Sequence, residues 1–119
     1  MNMINKESEY SLLIIDYLAK FPKDKIIGSK EISNNLNISL NITLKLLRTL
    51  VNQNIIKSFR GKDGGYTLIK KNISYYEIIE IIQGKIFKDD KKYNSSIVLE
   101  NLLKINELYI KKLYDTKIF

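Results

Sequence analysis

A mainly α-helical fold with one small β-hairpin is what this sequence predicts, and three features predict it. Apolar residues recur at helical spacing in five separate stretches. Two β-rich runs flank a glycine-rich turn near the middle of the chain. The 119 residues are 45% hydrophobic and 28% charged, a globular composition sized for one compact domain with an appended element.

The first helix is expected over about residues 6–20, where Tyr10, Leu13, Ile14, Tyr17 and Phe21 recur at helical spacing. Pro22 stops it, because proline disfavours a helical residue before it. A loop follows, ending in a short strand at Lys25, Ile26 and Ile27. The second helix starts at Ser29 as N-cap, carries Glu31 in its first turn and ends near Asn37, after a run of poor helix formers.

The third helix starts at Ser39, again an N-cap. A wheel of residues 40–53 puts Leu40, Thr43, Leu44, Leu46, Leu47, Leu50 and Val51 on one arc. Asn41, Ile42, Lys45, Arg48, Thr49 and Asn52 fall on the other, so Lys45 and Arg48 project together with amides beside them. The runs at 55–59 and 66–69, joined by Arg60-Gly61-Lys62-Asp63-Gly64-Gly65, form the hairpin. Ser74-Tyr75-Tyr76-Glu77 is a capping-box pattern for a fourth helix that ends at Gly84. A charged loop spans 85–94, and a last helix spans about 95–115.

Helix, helix, helix, hairpin and helix, with a tight connection at Asn37 and Ile38, make a winged helix-turn-helix. Residues 1–84 form that unit, and 85–119 form the loop and a C-terminal dimerisation helix. On the last helix, Val98, Leu102, Ile105 and Tyr109 make one apolar stripe, and Leu99, Leu103, Ile110 and Leu113 an adjacent one. The combined arc is about 180° wide, more than one packing surface requires. The expectation is a homodimer with Val98, Leu102, Ile105 and Tyr109 at the interface; the alternative is a helix buried more deeply in its own subunit.

The charge is uneven. The chain carries 20 Lys and Arg against 13 Asp and Glu. Residues 1–39 are neutral overall and 73–119 carry +1. Residues 40–72 carry seven basic groups (Lys45, Arg48, Lys57, Arg60, Lys62, Lys70, Lys71) against Asp63 alone, a net +6 that includes both arginines of the chain. A field concentrated in this way points to a polyanion, here double-stranded DNA. The candidate DNA contacts are Ser39, Asn41, Ile42, Lys45, Arg48, Thr49, Arg60 and Lys62. Lysine and arginine meet phosphates, and arginine also meets guanine. Asparagine reads adenine, Ile42 suits a thymine methyl, and the N–H groups behind Ser39 suit a phosphate. Arg60 at the hairpin tip suits a narrow minor groove.

There is no cysteine and no histidine. Thiolate metal sites, cysteine nucleophiles and histidine bases are therefore excluded, and no cofactor is expected. An enzyme would rest on a carboxylate pair such as Glu77 and Glu80, which read better as cap and solvated surface, so none is expected. The first residues lack a long apolar run, and no apolar stretch approaches the roughly 20 residues that span a bilayer. A soluble, cytoplasmic protein without a membrane partner is expected. The competing reading of the same fold is a winged-helix module that binds a protein and lacks specific DNA binding.

From Ile38-Ser39-Leu40 through Leu46-Leu47-Arg48-Thr49-Leu50 to the Arg-Gly-x-x-Gly-Gly-Tyr wing at 60–66, the chain resembles the Rrf2 family of bacterial transcriptional regulators. The capped helix ending in Gln83-Gly84, where the family has Glu-Gly, and Tyr10 fit the same pattern, which covers most of residues 8–84. The resemblance implies a homodimer held by the long C-terminal helix, bound to an imperfect palindrome in promoter DNA; the expected role there is that of a repressor. It implies base reading by Asn41, Ile42, Leu44 and Lys45, with Arg60 in the minor groove. Leu44 stands where some members have glutamate, so their base preference does not carry over. Many members hold an iron–sulfur cluster on three cysteines after the fourth helix. This chain has none there and resembles the cysteine-free branch, which includes cysteine-metabolism repressors that act with a partner enzyme. The effector, a protein or a small molecule, is left open, with Tyr75, Tyr76 and Tyr93 either lining its pocket or serving as ordinary packing aromatics.

Overall fold

The computed structural model describes residues 4–84, 97–116 and 118; within 97–110 it describes side chains at 101, 104, 105 and 107–109. The element order is α1 (Lys6–Ala19), α2 (Ser29–Leu36), α3 (Leu40–Asn52), β1 (Ile56–Phe59), β2 (Gly65–Leu68), α4 (Tyr75–Gln83) and α5 (Ile97–Asp115). This is the winged helix-turn-helix that the sequence predicts. The loop expected at 85–94, with Tyr93, and the expected helix start at Ser95 lie outside the described residues. No helix among the described residues is long and apolar enough to cross a membrane.

Local chemistry sets each boundary. Asn5 caps α1, its side chain accepting from the Ser8 N–H at 2.8 Å. The helix stops three residues before Pro22. Helix α2 begins one residue earlier than the serine rule implies. Gly28 is its N-cap, with its carbonyl accepting from the Ile32 N–H at 3.1 Å, and Ser29 is the first helical residue. Glycine is tolerated at that position without a side-chain bond. Ser39 does cap α3, accepting from the Ile42 N–H at 3.3 Å. Ser74 caps α4, accepting from the Glu77 N–H at 3.2 Å. Among the described bonds, the Glu77 carboxylate takes the Lys70 ammonium at 2.6 Å and the Ser74 hydroxyl at 3.5 Å. Gly84 caps the far end as expected.

Three turns are made by asparagines in the left-handed region: Asn37 (φ 56°), Asn54 (φ 60°) and Asn72 (φ 56°). Asparagine enters this region more readily than other residues with a Cβ. At the first of them, the Ile38 N–H donates to the Ser33 carbonyl and the Ser33 hydroxyl donates back to the Ile38 carbonyl. This pair of bonds locks α3 to α2.

The hairpin pairs antiparallel, with Ile56 opposite Leu68 and Phe59 opposite Gly65. The strand expected at 25–27 contracts to a single bridge, in which Ile27 and Tyr66 exchange both backbone bonds at 2.8–2.9 Å. That close approach explains Gly65: a Cβ there would collide with the Ile27 carbonyl oxygen.

The core is built mainly of isoleucine and leucine. Ile14, Ile15 and Leu18 of α1 meet Ile32 of α2, Leu46, Leu47 and Leu50 of α3, Ile55 and Ile56 around β1, then Ile73 and Ile78. Of the residues expected to face inward on α1, Ile14 is buried and Tyr10, Tyr17 and Phe21 pack partly buried against the core, but the buried face is wider than that set and leaves out Leu13. Ser8, Ser11, Ile14, Ile15 and Leu18 turn inward, while Leu13 stays 45% exposed. Ser8 joins α1 directly to α4. The Ser8 hydroxyl and the Asn5 N–H both reach the Gln83 side-chain oxygen of α4, at 2.7 and 3.0 Å.

The C-terminal end of α5 folds back on α4. Leu113 is buried and Tyr114 stacks on Tyr76, with ring centroids 4.4 Å apart. Tyr75 N–H donates to the Thr116 carbonyl, and Ile118 N–H to the Ile73 carbonyl. Burial, with the Glu80 carboxylate and Tyr114 adding to it, pushes the Tyr76 phenol above the usual tyrosine range.

Leu47→Ala opens a cavity in the core and is expected to cost about 2–5 kcal/mol in urea unfolding. Gly65→Ala, which jams the hairpin against Ile27, is expected to cost about 1–3 kcal/mol. The two caps separate cleanly: Ser39→Ala should lose about 0.5–2 kcal/mol and Ser29→Ala less than about 0.5 kcal/mol.

Candidate nucleic-acid interface

Helix α3 is amphipathic because its apolar residues fall on one arc, and packing fixes which arc. Thr43, Leu46, Leu47 and Leu50 are buried. The side opposite them is fully polar, with Asn41, Lys45, Arg48 and Asn52 all exposed in a row at i, i+4, i+7 and i+11. A helix of this width fits the major groove of B-DNA.

The remaining sequence candidates lie on the rims of α3 and in the hairpin turn. Ser39 is exposed at the start of α3, with its hydroxyl spent on the cap. Thr49 is half-buried, and its hydroxyl donates back to the Lys45 carbonyl at 3.3 Å. Ile42 is half-buried and packs against the core, at the rim of the polar arc and not within it. The wheel explains the shift, since Ile42 lies only about 40° from buried Leu46. Leu44 is half-buried on the other rim. Arg60 and Lys62 are exposed in the turn between β1 and β2, which the Gly64 N–H closes on the Gly61 carbonyl at 3.0 Å.

One residue of this surface was not visible in the sequence pattern. Glu7, in the first turn of α1, places its carboxylate 2.7 Å from the Lys45 ammonium. The partners are 38 positions apart, beyond the reach of any local spacing rule. Both side chains are more than a third exposed, so the pair adds little to stability, about 0–1 kcal/mol.

A second basic cluster lies at the hairpin's open end, away from Arg60. Lys71 sits beside Lys23, and its ammonium holds Lys23 below the usual lysine range through their close approach and like charge. Lys70 in the same stretch is neutralised by Glu77 at 2.6 Å.

The dimer candidates on α5 divide. Ile105 is 55% exposed and Leu108, one turn on, is 70% exposed. Tyr109 is half-buried, and burial raises its phenol above the usual range. The side chains of Val98 and Leu102 lie outside the described residues. Of the aromatics considered for an effector, Tyr76 is taken up by stacking on Tyr114. Tyr75 borders a shallow groove with Ile4, Leu12, Leu13 and Ile118.

The Rrf2 family, described as iron-dependent transcriptional regulators, matches residues 4–114. The chain belongs to the Rrf2 family. Over 100 residues it is 30% identical to YffB of Lactococcus lactis, named as a candidate HTH-type transcriptional regulator, a stretch covering 82% of this chain and 60% of YffB. It is 36% identical over 63 residues to the HTH-type transcriptional regulator NsrR of Halalkalibacterium halodurans, covering 53% of this chain and 43% of NsrR. The chain thus spans about half of the curated relatives' length. Its fold superposes on CymR (YrzC), the global cysteine regulator of B. subtilis, with a TM-score of 0.87 and 26% identity, covering 99% of this chain and 94% of that one.

The iron in the Rrf2 description does not fit this Rrf2 chain. It has no cysteine or histidine, and no group of three metal-ligating side chains occurs among the described residues. The thiolates that hold iron–sulfur clusters and the imidazoles that most often ligate iron are both missing.

Proposed function

We propose that this Rrf2 member is a sequence-specific DNA-binding transcriptional regulator, a homodimeric repressor acting in the cytoplasm on a palindromic promoter operator. Residues 1–84 are the DNA-binding unit, and 85–119 supply the dimerisation helix. The observation that carries the reading is the exposed row Asn41, Lys45, Arg48 and Asn52 on α3, together with exposed Arg60 and Lys62 in the wing turn. The relatives' names as HTH-type regulators support it.

In this reading α3 enters the major groove. Arg48 and Asn41 approach base edges, while Lys45 and the N–H groups behind Ser39 hold phosphates. Ile42 and Thr49, at the rim, border the groove. Arg60 enters the adjacent minor groove, with Lys62 on the backbone. Val98, Leu102, Ile105 and Tyr109 join two subunits, so that two copies of α3 meet half-sites about 34 Å apart. The exposure of Ile105 and Leu108 favours this pairing, because large apolar side chains in one patch call for a partner.

The test is fluorescence anisotropy of the purified protein on DNA from upstream of its own gene, against scrambled DNA, over a salt series. Tight, competitor-resistant binding is expected for the first, with a log–log salt slope near −0.9 per phosphate contact. Arg48→Ala and Arg60→Ala should each weaken it by about 1–3 kcal/mol. Equal affinity for both DNAs at every salt concentration would remove sequence specificity and leave a protein-binding winged helix as the better reading.

Leu102→Glu together with Ile105→Glu should yield monomers in sedimentation and abolish operator binding. An intact dimer in that variant would place the interface elsewhere.

A further inference from the structure

The charge tally of residues 40–72 gives that segment one acid, Asp63. In three dimensions its basic groups take two more from outside, Glu77 on Lys70 at the hairpin's open end and Glu7 on Lys45 of α3. The Lys6–Glu9 and Lys20–Asp16 pairs are one turn apart on α1, as helical spacing makes them. The Lys45–Glu7 pair is different in kind. It crosses from α1 to α3 and closes at 2.7 Å on a member of the exposed α3 row. Asn5 fixes the start of α1 by capping it and by donating to Gln83 of α4, so Glu7 is carried by an anchored turn.

From this geometry we propose that Glu7 is an intramolecular competitor for phosphate, a positioning residue that holds Lys45 and restrains the sequence-independent part of DNA binding. The inference rests on the DNA-binding reading above and deepens it. A phosphate that takes Lys45 displaces a carboxylate already at hydrogen-bond distance. The lysine exchanges one anion for another, and the carboxylate is left beside the DNA backbone. The net counterion release expected of one lysine is thereby cancelled. Phosphate contacts carry no sequence information, so the restraint applies alike to operator and random DNA.

Glu7→Gln tests this, because it keeps the side-chain length and an acceptor oxygen while removing the charge. Anisotropy with a 30-base-pair mixed-sequence duplex, and with the duplex from upstream of the gene, is measured over a salt series for wild type, Glu7→Gln, Lys45→Ala and the double variant. Thermal melts serve as the folding control. Glu7→Gln is expected to bind both duplexes about two- to five-fold more tightly at low salt, the range an exposed ion pair supplies. Its log–log salt slope should steepen by up to about 0.9, one further phosphate-bound lysine. In the Lys45→Ala background both effects should vanish.

Unchanged affinity and slope in Glu7→Gln, with Lys45→Ala still weakening binding, would overturn the competitor and leave the DNA reading intact. Equal tightening with and without Lys45 would overturn it as well, since the charge would then act at long range. Weaker binding by Glu7→Gln would make Glu7 an aid to Lys45 and also overturn it. Wild type that binds neither duplex at low salt would overturn the DNA-binding reading itself, and the inference with it.

Discussion

The rotation of α3 about its own axis is the constraint on which the rest depends. Thr43, Leu46, Leu47 and Leu50 are sunk into a core shared with α1, α2 and β1. A turn of the helix by one residue would expose leucines and bury Lys45 or Arg48, at a cost of several kcal/mol for an unpaired charge. The Ser33–Ile38 bonds then fix how α3 leaves α2. The Ile27–Tyr66 bridge fixes the hairpin against the same body. Helix and wing are thereby held on one rigid frame, as a recognition surface requires.

What was legible in the sequence was what is local. The apolar arc of α3, the serine caps at Ser39 and Ser74, the glycine-rich hairpin and the Gly84 stop each depend on residues within a turn of one another. The polar row followed directly from the wheel. The misplacements have physical causes of two kinds. Where two local solutions compete, a residue-type rule picks the commoner one: Ser29 outranks Gly28 as a cap, yet the chain enters the helix at Gly28. Where packing decides, the local pattern is insufficient. Leu13 is more apolar than Ser8 or Ser11, but the serines are the buried ones, and Ser8 bonds to Gln83 of α4. Ile42 lies between the arcs and is drawn to the apolar side by its neighbour one turn on, Leu46. Glu7 was not recoverable, since only the tertiary fold brings α1 to α3.

Helix α5 is put to different uses along its length. Its last turns serve the subunit itself: Leu113 is buried, Tyr114 covers Tyr76, and the residues that follow bond to the backbone leading into α4. Ile105 and Leu108, two turns earlier, face solvent. One helix therefore presents two surfaces at different heights, one satisfied internally and one open.

The left-handed asparagines have a consequence for the chain's durability. Each is followed at once by a buried isoleucine: Ile38 after Asn37, Ile55 after Asn54, Ile73 after Asn72. Each step therefore reverses the chain at the surface and drops it into the core. Asparagine ages by attack of the next residue's backbone nitrogen on its side-chain amide, and glycine in that next position leaves the attack unhindered. A branched isoleucine locked in a packed interior crowds the nitrogen and denies the backbone the rearrangement that the ring closure needs. The chain obtains the bend that glycine would supply, loses less conformational freedom on folding than glycine would, and shields three otherwise labile amides from slow deamidation.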